Sequence, residues 1–517
     1  MKKTSYILFT LLLGCATYAQ SNDSLWMPGM IDRQVMKDLQ WSSPIQASRL
    51  DYSNYTLSGV NAQFSDQKLK RVQTADKIQN YQFVTEGIYQ INNKIRVFGD
   101  FTIDKELEKG LAFNLSSDRT THTKVLKPNY YYSPSKGDWD NQKYNFKAGG
   151  SYEFANNAYF GVVVDYDAFL LARSIDPRPK NSGNDIAYKL QLGYQFQKHL
   201  VSVNYASSVR KEENSIYYEN KTLNPSTNPD AYIRFSSGYG YNIYNSYYSL
   251  YLDKNKTNGF GLDYSYKNKN HFVSLGYDYE TSDRNYYVSN SNAGTNTRPV
   301  EDALFVKYNQ STKTNYVHAF YKNLSESFPL ELMLKYKASE WTNYVAETKS
   351  SNAIAKENDL FVQGNYRLRN SWINYLGLKA NYNSIDVKDY LGVTEKVNNS
   401  LDFTIFTQKN FNINFHRIFA HFGLGMIAPI TNDLVYKPAA QDQDFANNVI
   451  LKDDIYEGIT KWKGEIIVAY DLPAKNNNTV RFKTYYCFVN GSSNEQINGF
   501  LMKGTSSYYG LGVSILY

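Results

Sequence analysis

The chain has 517 residues, including 48 tyrosines and 28 phenylalanines, and its mean hydropathy of −0.55 makes it polar on average. Its net charge of +7 comes from 56 basic and 49 acidic residues spread along the whole length, without the basic block of a nucleic-acid-binding surface. Nucleic acid is therefore excluded as an expected partner. So many aromatic rings are typical of proteins that anchor at the two interfaces of a membrane.

The first residues have the pattern of a secretory signal peptide. Two lysines precede the apolar stretch Tyr6 to Leu13, and small residues lead to a predicted cleavage site after Ala19. Residues 1–19 are therefore predicted to be a signal peptide, which is too short for a transmembrane helix. A lipoprotein signal ending at Cys15 is the alternative, although Leu13 fits the second position of such a motif poorly.

Residues 20–47 lack the pattern of the rest of the chain. Ile31, Val35 and Leu39 recur every four residues, which predicts a short amphipathic helix. Three interpretations stay open for this N-terminal periplasmic segment: a small plug inside the following domain, a peg for a periplasmic partner, and a poorly ordered arm.

From residue 48 onward, many stretches of about ten residues alternate between apolar and polar side chains. This period of two indicates strands with one apolar and one polar face. The apolar faces often carry aromatic residues near their ends, as an interface girdle requires, and no later segment approaches the length of an apolar spanning helix. Clear examples are 94–103, 143–154, 186–196 and 461–470.

Short turns alternate with long polar loops, which is typical of bacterial outer-membrane barrels. Turns are predicted at 91–93, 155–157, 197–199, 268–270 and 370–371, and long loops at 105–141 and 170–185. We predict a single transmembrane antiparallel β-barrel over residues 48–517 with about 16 strands, in a range of roughly 14 to 18. The region 230–339 leaves the number open, because its short connections do not alternate clearly between two sides.

The last strand carries the clearest single signal. Its alternating residues Val513 and Ile515 lead to an aromatic end at Tyr517. This arrangement resembles the C-terminal signal recognised by barrel-assembly machinery, which is therefore an expected partner. The last strand is also expected to pair with the first, because an open edge in lipid would leave backbone groups without hydrogen bonds.

If the apolar faces meet lipid, the charged residues between them point into the lumen. Because many of these charges are cationic, one interpretation is a weakly anion-attracting pore, and the other is a closed lumen filled by paired charges. The predicted lumen-lining residues are Lys94, Arg96, Lys143, Lys147, Lys189, Lys335, Arg367, Lys461, Lys463, Arg481 and Lys483.

One predicted loop is rich in both proline and positive charge. Arg173, Arg178 and Lys180 surround Asp176, and two prolines restrict the backbone between them. The loop is predicted to fold inward and constrict the pore. The alternative is a rigid turn on the surface.

The sequence does not predict an enzyme. No local catalytic motif surrounds any of its six histidines. His416 and His421 are five residues apart and would face opposite sides of a strand, so they cannot share a metal ion. Cys487 is the one cysteine outside the leader, so an intramolecular disulfide is not expected. No cofactor and no metal is expected.

The segment Asn80 to Gly87, the loop Asp176 to Pro179 and the Ala-Gln cleavage site carry a resemblance to a family. The chain resembles a Bacteroidota outer-membrane β-barrel protein of an uncharacterised family over most of its mature length. The resemblance implies a barrel at the cell surface, with a TonB-dependent receptor as one candidate partner. It implies no substrate and no catalytic residue.

Two functions follow as hypotheses. The first is a channel or transport protein for small solutes in the outer membrane of a Gram-negative bacterium. The second is a non-catalytic accessory or scaffold barrel that binds another outer-membrane complex, such as a TonB-dependent receptor or an assembly or secretion machinery. An open lumen would favour the first hypothesis, and a stoichiometric partner would favour the second.

Overall fold

Eighteen long antiparallel strands form one closed sheet in the computed structural model of the chain. The structure describes residues 37–50, 54–220, 233–240, 242–244, 250–289, 304–325, 329–368, 373–413, 416–437, 443–474, 478–497 and 500–517. The predicted all-β barrel is therefore confirmed. Its strand number is 18, at the upper end of the expected range, and the central value of about 16 was wrong.

The strands follow one another in hairpins along the chain. Three short ones, β4, β9 and β10, form a separate small sheet. The bounds are β1 (Tyr55–Gln67), β2 (Lys77–Asn92), β3 (Ile95–Leu111), β4 (Tyr130–Tyr132), β5 (Gly137–Ala155), β6 (Ala158–Arg173), β7 (Arg178–Phe196), β8 (His199–Tyr217), β9 (Arg234–Ser236), β10 (Asn242–Tyr244), β11 (Leu250–Lys267), β12 (His271–Ser289), β13 (Leu304–Asn323), β14 (Leu330–Val345), β15 (Ser350–Arg367), β16 (Tyr375–Asp389), β17 (Thr394–Ile413), β18 (His416–Tyr436), β19 (Lys461–Pro473), β20 (Thr479–Ile497) and β21 (Phe500–Leu516).

The barrel closes by pairing its first strand with its last. β1 and β21 run antiparallel with Leu57 opposite Leu516, while the other edge of β1 pairs with β2. Every strand of the sheet therefore has two neighbours, and the expected closure is confirmed. No strand edge is left to seek a partner in a surrounding bilayer.

The barrel strands are longer than a bilayer requires. They contain 13 to 21 residues, whereas about ten are enough to cross the hydrocarbon core. This excess length explains two of the errors in the sequence prediction. The predicted loop 105–141 shrinks to 112–136, and the predicted loop 170–185 becomes the turn 174–177, because the flanking strands continue past the expected membrane level.

Apolar side chains cover the outer face of the barrel. Phe260, Leu511 and Trp462 are 66%, 65% and 60% exposed, which is unusual for large apolar residues unless the surface meets lipid or a partner. On β7, the exposed Ile186 and Tyr188 alternate with positions that point inward. The period of two in the sequence thus corresponds to an apolar outer wall and a polar inner wall.

The connections differ at the two ends of the barrel. Tight turns at 93–94, 156–157, 197–198 and 268–270 lie at the same end as residues 37–50 and Tyr517. This end is called here the inner end, and its turns confirm those predicted from the sequence. The predicted turn at 370–371 lies outside the described residues. The longest described connections, 112–136 and 437–460, lie at the opposite, outer end.

Helices are few. The described ones are a helical stretch at 37–42, α1 (Pro44–Ala47), α2 (Gln443–Phe445) and α3 (Leu451–Gly458), with a π-helical stretch (Ala446–Ile450) joining the last two. Across the part of the chain that the structure describes, no helix combines the length and apolar character needed to cross a membrane.

Candidate functional site

The inner end of the lumen is filled by residues 37–50, called here the inner plug. Gln191 on β7 donates a hydrogen bond to Ser43 Oγ at 2.8 Å and accepts one from the backbone N–H of Ile45 at 3.1 Å. Gln46 donates to Ser202 Oγ on β8 at 3.2 Å. The N-terminal segment thus extends to Leu50, beyond the predicted boundary at residue 47, and of its predicted helix only Leu39 falls within the described residues.

Ion pairs attach the start of the inner plug to both sides of the barrel. Lys37 pairs with Glu86 on β2 at 2.9 Å and also with Asp100 on β3. Asp38 pairs with Lys335 on β14 at 2.8 Å. Because these partners belong to strands on different parts of the wall, the plug bridges the lumen and does not simply lie along one side.

Two glycines form a seat for the plug on the inner wall. A β-carbon at Gly161 would stand 2.9 Å from Ile45 Cγ1 and 3.1 Å from Pro44 Cγ, and one at Gly193 would stand 3.4 Å from Ile45 Cδ1. Ile45 itself is fully buried. Since only glycine leaves room at position 161, the wall is shaped to accept this turn of the plug.

A cavity of about 810 Å³ lies behind the plug and is called here the inner chamber. Asp38, Trp41 and Ser42 of the plug bound it on one side, and inward-facing residues of β5, β6 and β12–β15 bound it on the others. Lys147 pairs with Asp165 across its wall at 2.8 Å. The chamber therefore lies between the plug and the barrel and is lined by both charged and apolar side chains.

The outer end is filled by the outer cap, which consists of residues 68–76, 112–136, 233–240, 242–244 and 443–460. Its small sheet has the order β10–β9–β4. Tyr131 on β4 packs against Phe235 on β9 and Tyr251 on the wall, with ring centroids 4.9 and 5.3 Å apart. Leu111, Leu115, Trp139, Leu171, Ile216, Tyr286, Tyr308 and Val345 belong to the same buried cluster. The outer half of the lumen thus has a hydrophobic core of its own.

A buried group of charges, called here the ion triad, joins the cap to the wall. Glu457 on α3 pairs with Arg71 in the cap and, at 2.7 Å, with Lys396 on β17. Each of the three side chains is only 3% exposed. Burial alone would raise the pKa of Glu457, but Arg71 and Lys396 bring it below its usual value. The carboxylate is thus held in its charged form between two cations.

Beside the triad lies a second cavity of about 440 Å³, the outer cavity, between the cap and β17–β21. His122 of the cap contacts the hydroxyl of Tyr456 through Nδ1 and that of Tyr508 through Nε2, the latter at 3.0 Å. Burial lowers the pKa of His122 to about 4, and nearby Lys461 and Arg71 act in the same direction. The histidine is therefore neutral at physiological pH.

The cap is expected to respond to pH through two opposed groups. Burial raises the pKa of Asp453 to about 6. The protonated carboxyl therefore stabilises the closed cap below pH 4, and this stabilisation is lost as the pH rises through 6. His122, whose pKa is lowered, stabilises the closed cap above pH 6.5, and this stabilisation is lost as the pH falls through 4. Between pH 5 and pH 7 each group should change the cap-opening equilibrium by roughly tenfold, in opposite directions.

Hydrogen exchange of the cap amides, corrected for intrinsic exchange rates, measures the cap-opening equilibrium at pH 5 and pH 7. Wild type should show little net change. Asp453→Asn should make the cap more open at pH 5 than at pH 7, and His122→Gln should give the reverse. Identical pH profiles in the two variants would contradict the assignment.

The predicted lumen-lining cations, apart from Lys94, occupy inward-facing strand positions. Lys94 is exposed in the turn between β2 and β3, so its assignment to the lumen was wrong. Arg96 donates to the carbonyl of Leu50 in the plug at 2.6 Å, Lys461 donates to the carbonyl of Ile459, and Lys483 lies over the ring of Tyr485. Arg367 lies at the inner end of β15.

Most of these cations are paired with carboxylates that the sequence reasoning left out. The pairs are Lys143 with Glu106, Lys147 with Asp165, Lys189 with Asp278, Lys335 with Asp38, Lys463 with Asp402, and Arg481 with Asp471. The same strand parity, applied to neighbouring strands, would have found Glu106, Asp165 and Asp471, whereas Asp278 and Asp402 lie on strands that are not adjacent to their cations and Asp38 lies in the plug. The arrangement corresponds to the second interpretation, paired charges in a closed lumen.

The predicted constriction loop is not a loop in the structure. Arg173 ends β6, is 3% exposed and donates to Ser135 in the cap at 2.9 and 3.0 Å. Arg178 pairs with Asp176 at 2.8 Å in the turn, and Lys180 is exposed on β7 with the parity of the outer face. The prediction failed because cap contacts support the strands beyond the membrane level, which leaves no free loop to fold inward.

A sequence profile of a family described as "Family of unknown function (DUF6850)" matches residues 44–517. A search of curated proteins gave no match.

Among solved structures, the chain is similar in fold to the ferric yersiniabactin uptake receptor FyuA from Yersinia pestis, with 7% identity over 90% of this chain and 80% of that one (TM-score 0.41). The outer membrane transporter YddB from Escherichia coli has 7% identity over 90% and 81% (TM-score 0.40). The ferric citrate transporter FecA has 9% identity over 90% and 78% (TM-score 0.39). These resemblances concern the barrel fold.

Proposed function

We propose that this chain, which belongs to DUF6850, a family of unknown function, is a gated transport barrel of the outer membrane. It is closed at rest and opens to pass small polar solutes. The apolar outer face of the barrel supports a position in lipid. The expected use of barrel-assembly machinery through Val513, Ile515 and Tyr517, and an origin in Bacteroidota, stay predictions.

The observation that carries this proposal is the way the lumen is blocked. The inner plug fills one end and the five segments of the outer cap fill the other, and a cavity lies beside each of them. The inner plug is held largely by hydrogen bonds and ion pairs such as Lys37 with Glu86. Water can replace such contacts when a segment leaves, so their net contribution to docking is modest. A permanently open pore would have no use for either the plug or the cap.

A scaffold barrel is the second candidate. The ion triad and the hydrophobic core of the cap favour it, because they hold the outer end shut without any solute. A scaffold needs only the outer wall and an exposed cap to bind a TonB-dependent receptor or another complex. The two functions differ in whether solutes ever cross the barrel.

A disulfide that locks the inner plug to the barrel wall distinguishes a transport barrel from a scaffold. Ile45 Cγ1 lies 2.9 Å from the position of a β-carbon at Gly161, so cysteines at both sites would have β-carbons within about 4.4 Å, inside the span of a disulfide. The locked protein carries Ile45→Cys, Gly161→Cys and Cys487→Ser. Its current is recorded in planar bilayers, both as it stands and with the added substitution Glu457→Gln, which is expected to open the outer cap.

The oxidised lock should be silent, and reduction should restore current, because the free sulfur at position 161 crowds Pro44 and the side chain at position 45. Current should be largest when the lock is reduced and Glu457→Gln is present. Gly161→Cys alone serves as the control, since it should conduct whatever the redox state. No current from any of these proteins would reject the transport proposal and leave the scaffold.

A further inference from the structure

One wall of the inner chamber carries a row of polar side chains at a single level. Asp278 on β12 lies opposite Tyr316 on β13, Tyr316 lies opposite Lys337 on β14, and Lys337 lies opposite Asp359 on β15. Directly opposed residues of antiparallel strands have β-carbons about 5 Å apart, so each member of the row is within reach of the next. All four line the chamber, as does Glu280, two positions along β12 from Asp278.

The charges of this wall are not all satisfied by the protein. Asp278 pairs with Lys189 at 3.2 Å. Glu280, Lys337 and Asp359 have neither an ion pair nor a hydrogen bond within the described ranges, although Lys337 interacts electrostatically with both carboxylates. The Lys337 ammonium lies 5.8 Å from the centre of the Tyr316 ring. The chamber therefore presents two carboxylates and one ammonium to whatever occupies it.

Apolar groups stand close to these charges. Trp41 of the plug and Phe361 on β15 line the same chamber. An occupant with charged ends and a short carbon skeleton would find both polar and apolar contacts. A small anion would meet one cation and two carboxylates, and an uncharged sugar could form hydrogen bonds with the three groups but would neutralise none of their charges.

We propose that the inner chamber binds a small zwitterion with a primary amine, such as a free amino acid or a dipeptide. Glu280 and Asp359 receive the ammonium group, and Lys337 receives the carboxylate. Charge-assisted hydrogen bonds of this kind are about twice as strong as neutral ones, which makes both ends of the solute contribute to selection. This inference rests on the proposed transport function and names the solute class that it passes.

Equilibrium dialysis tests the inference with two labelled probes of nearly equal size. Glycylglycine carries both charges, and N-acetylglycine has the same peptide unit and carboxylate but lacks the amine. The protein is the full chain with Glu457→Gln, so that solutes enter from the outer end while the plug keeps the chamber intact. Glycylglycine should bind at least tenfold more tightly than N-acetylglycine.

Glu280→Gln and Asp359→Asn should each bring the two affinities close together, and Lys337→Gln should weaken glycylglycine binding by about tenfold. Glu347→Gln removes an exposed carboxylate outside the chamber and should leave the preference intact. Equal affinities for the two probes, or a preference that survives Glu280→Gln and Asp359→Asn, would overturn the inference. If the reduced disulfide lock still conducts in that case, only the solute class is wrong; if it is also silent, the transport function fails as well.

Discussion

Glu457→Gln is expected to release the outer cap and to raise its rate of cleavage by trypsin roughly 100- to 1,000-fold. The substitution keeps the size of the side chain but removes the charge that Arg71 and Lys396 share in a setting only 3% exposed. Removing one partner of a buried ion pair costs about 3–5 kcal/mol, and here the cost comes from Arg71, which loses its carboxylate partner while Lys396 keeps its pair with Asp454. The cost falls on the closed cap alone, since the opened cap lets water reach both cations.

Cleavage after Arg119, Lys124 and Lys127 in the cap reports the opening, because proteolysis follows the population of the open form when closing is fast. Asp140→Asn is the matched control. It removes the acid of an ion pair with Lys105 whose side chains are 55% and 39% exposed, where the expected cost is about 0–1 kcal/mol. Heat-modifiable migration on gels should show that the barrel stays folded in both variants. A cap that resists trypsin in Glu457→Gln would show that the ion triad does not hold it.

Gly161→Val is expected to shift the docking equilibrium of the inner plug roughly 5- to 150-fold toward the undocked state. The β-carbon alone would stand 2.9 Å from Ile45 Cγ1 and 3.1 Å from Pro44 Cγ, and the two methyl groups add further overlap. Overpacking of this kind costs about 1–3 kcal/mol. The plug can relieve the overlap by leaving, whereas the wall is fixed by its ladder of hydrogen bonds.

Bilayer current in the Glu457→Gln background should rise with Gly161→Val. Gly99→Val adds the same side chain to the outer face of β3, where the nearest atom to a new β-carbon is 3.4 Å away, and should leave the current unchanged. Protease access to residues 37–50 gives a second measure that does not depend on conduction. If the plug remained protected in Gly161→Val, the seat would not be what holds it.

The barrel itself could be predicted because its cause is local. Alternation within a stretch such as 186–196 decides which side chains meet lipid, and the structure places Ile186 and Tyr188 on the outer face as this rule requires. The same parity assigned Lys143 and Lys335 correctly to the lumen. The strand number was underestimated because the connections in region 230–339 do not alternate clearly between two sides. The length of the strands was underestimated because local alternation does not show how far a strand continues, as β6 does to Arg173.

The plug and the cap depend on pairings between distant parts of the chain, which one sequence does not reveal. Ile45 fits against Gly161, and Arg71 meets Glu457, 386 positions away. Nothing in the sequence around Gly161 or Arg71 indicates which distant residue it contacts. The lumen charges were misjudged for a related reason, since Lys189 on β7 pairs with Asp278 on β12, three strands away around the wall, and not with a residue of its own strand.

The pairing of β1 with β21 has a consequence for how such a protein is made. β1 is the first of the described barrel strands to be synthesised, yet one of its two hydrogen-bonding edges pairs with the last strand, and Leu69 just beyond it bonds to Ser506, 437 positions later. Until the final residues arrive, the growing sheet has two exposed edges that invite pairing with other chains. On the proposed route to the outer membrane, those edges need shielding during delivery, and we expect a protein truncated near its C-terminus to aggregate in the periplasm instead of inserting.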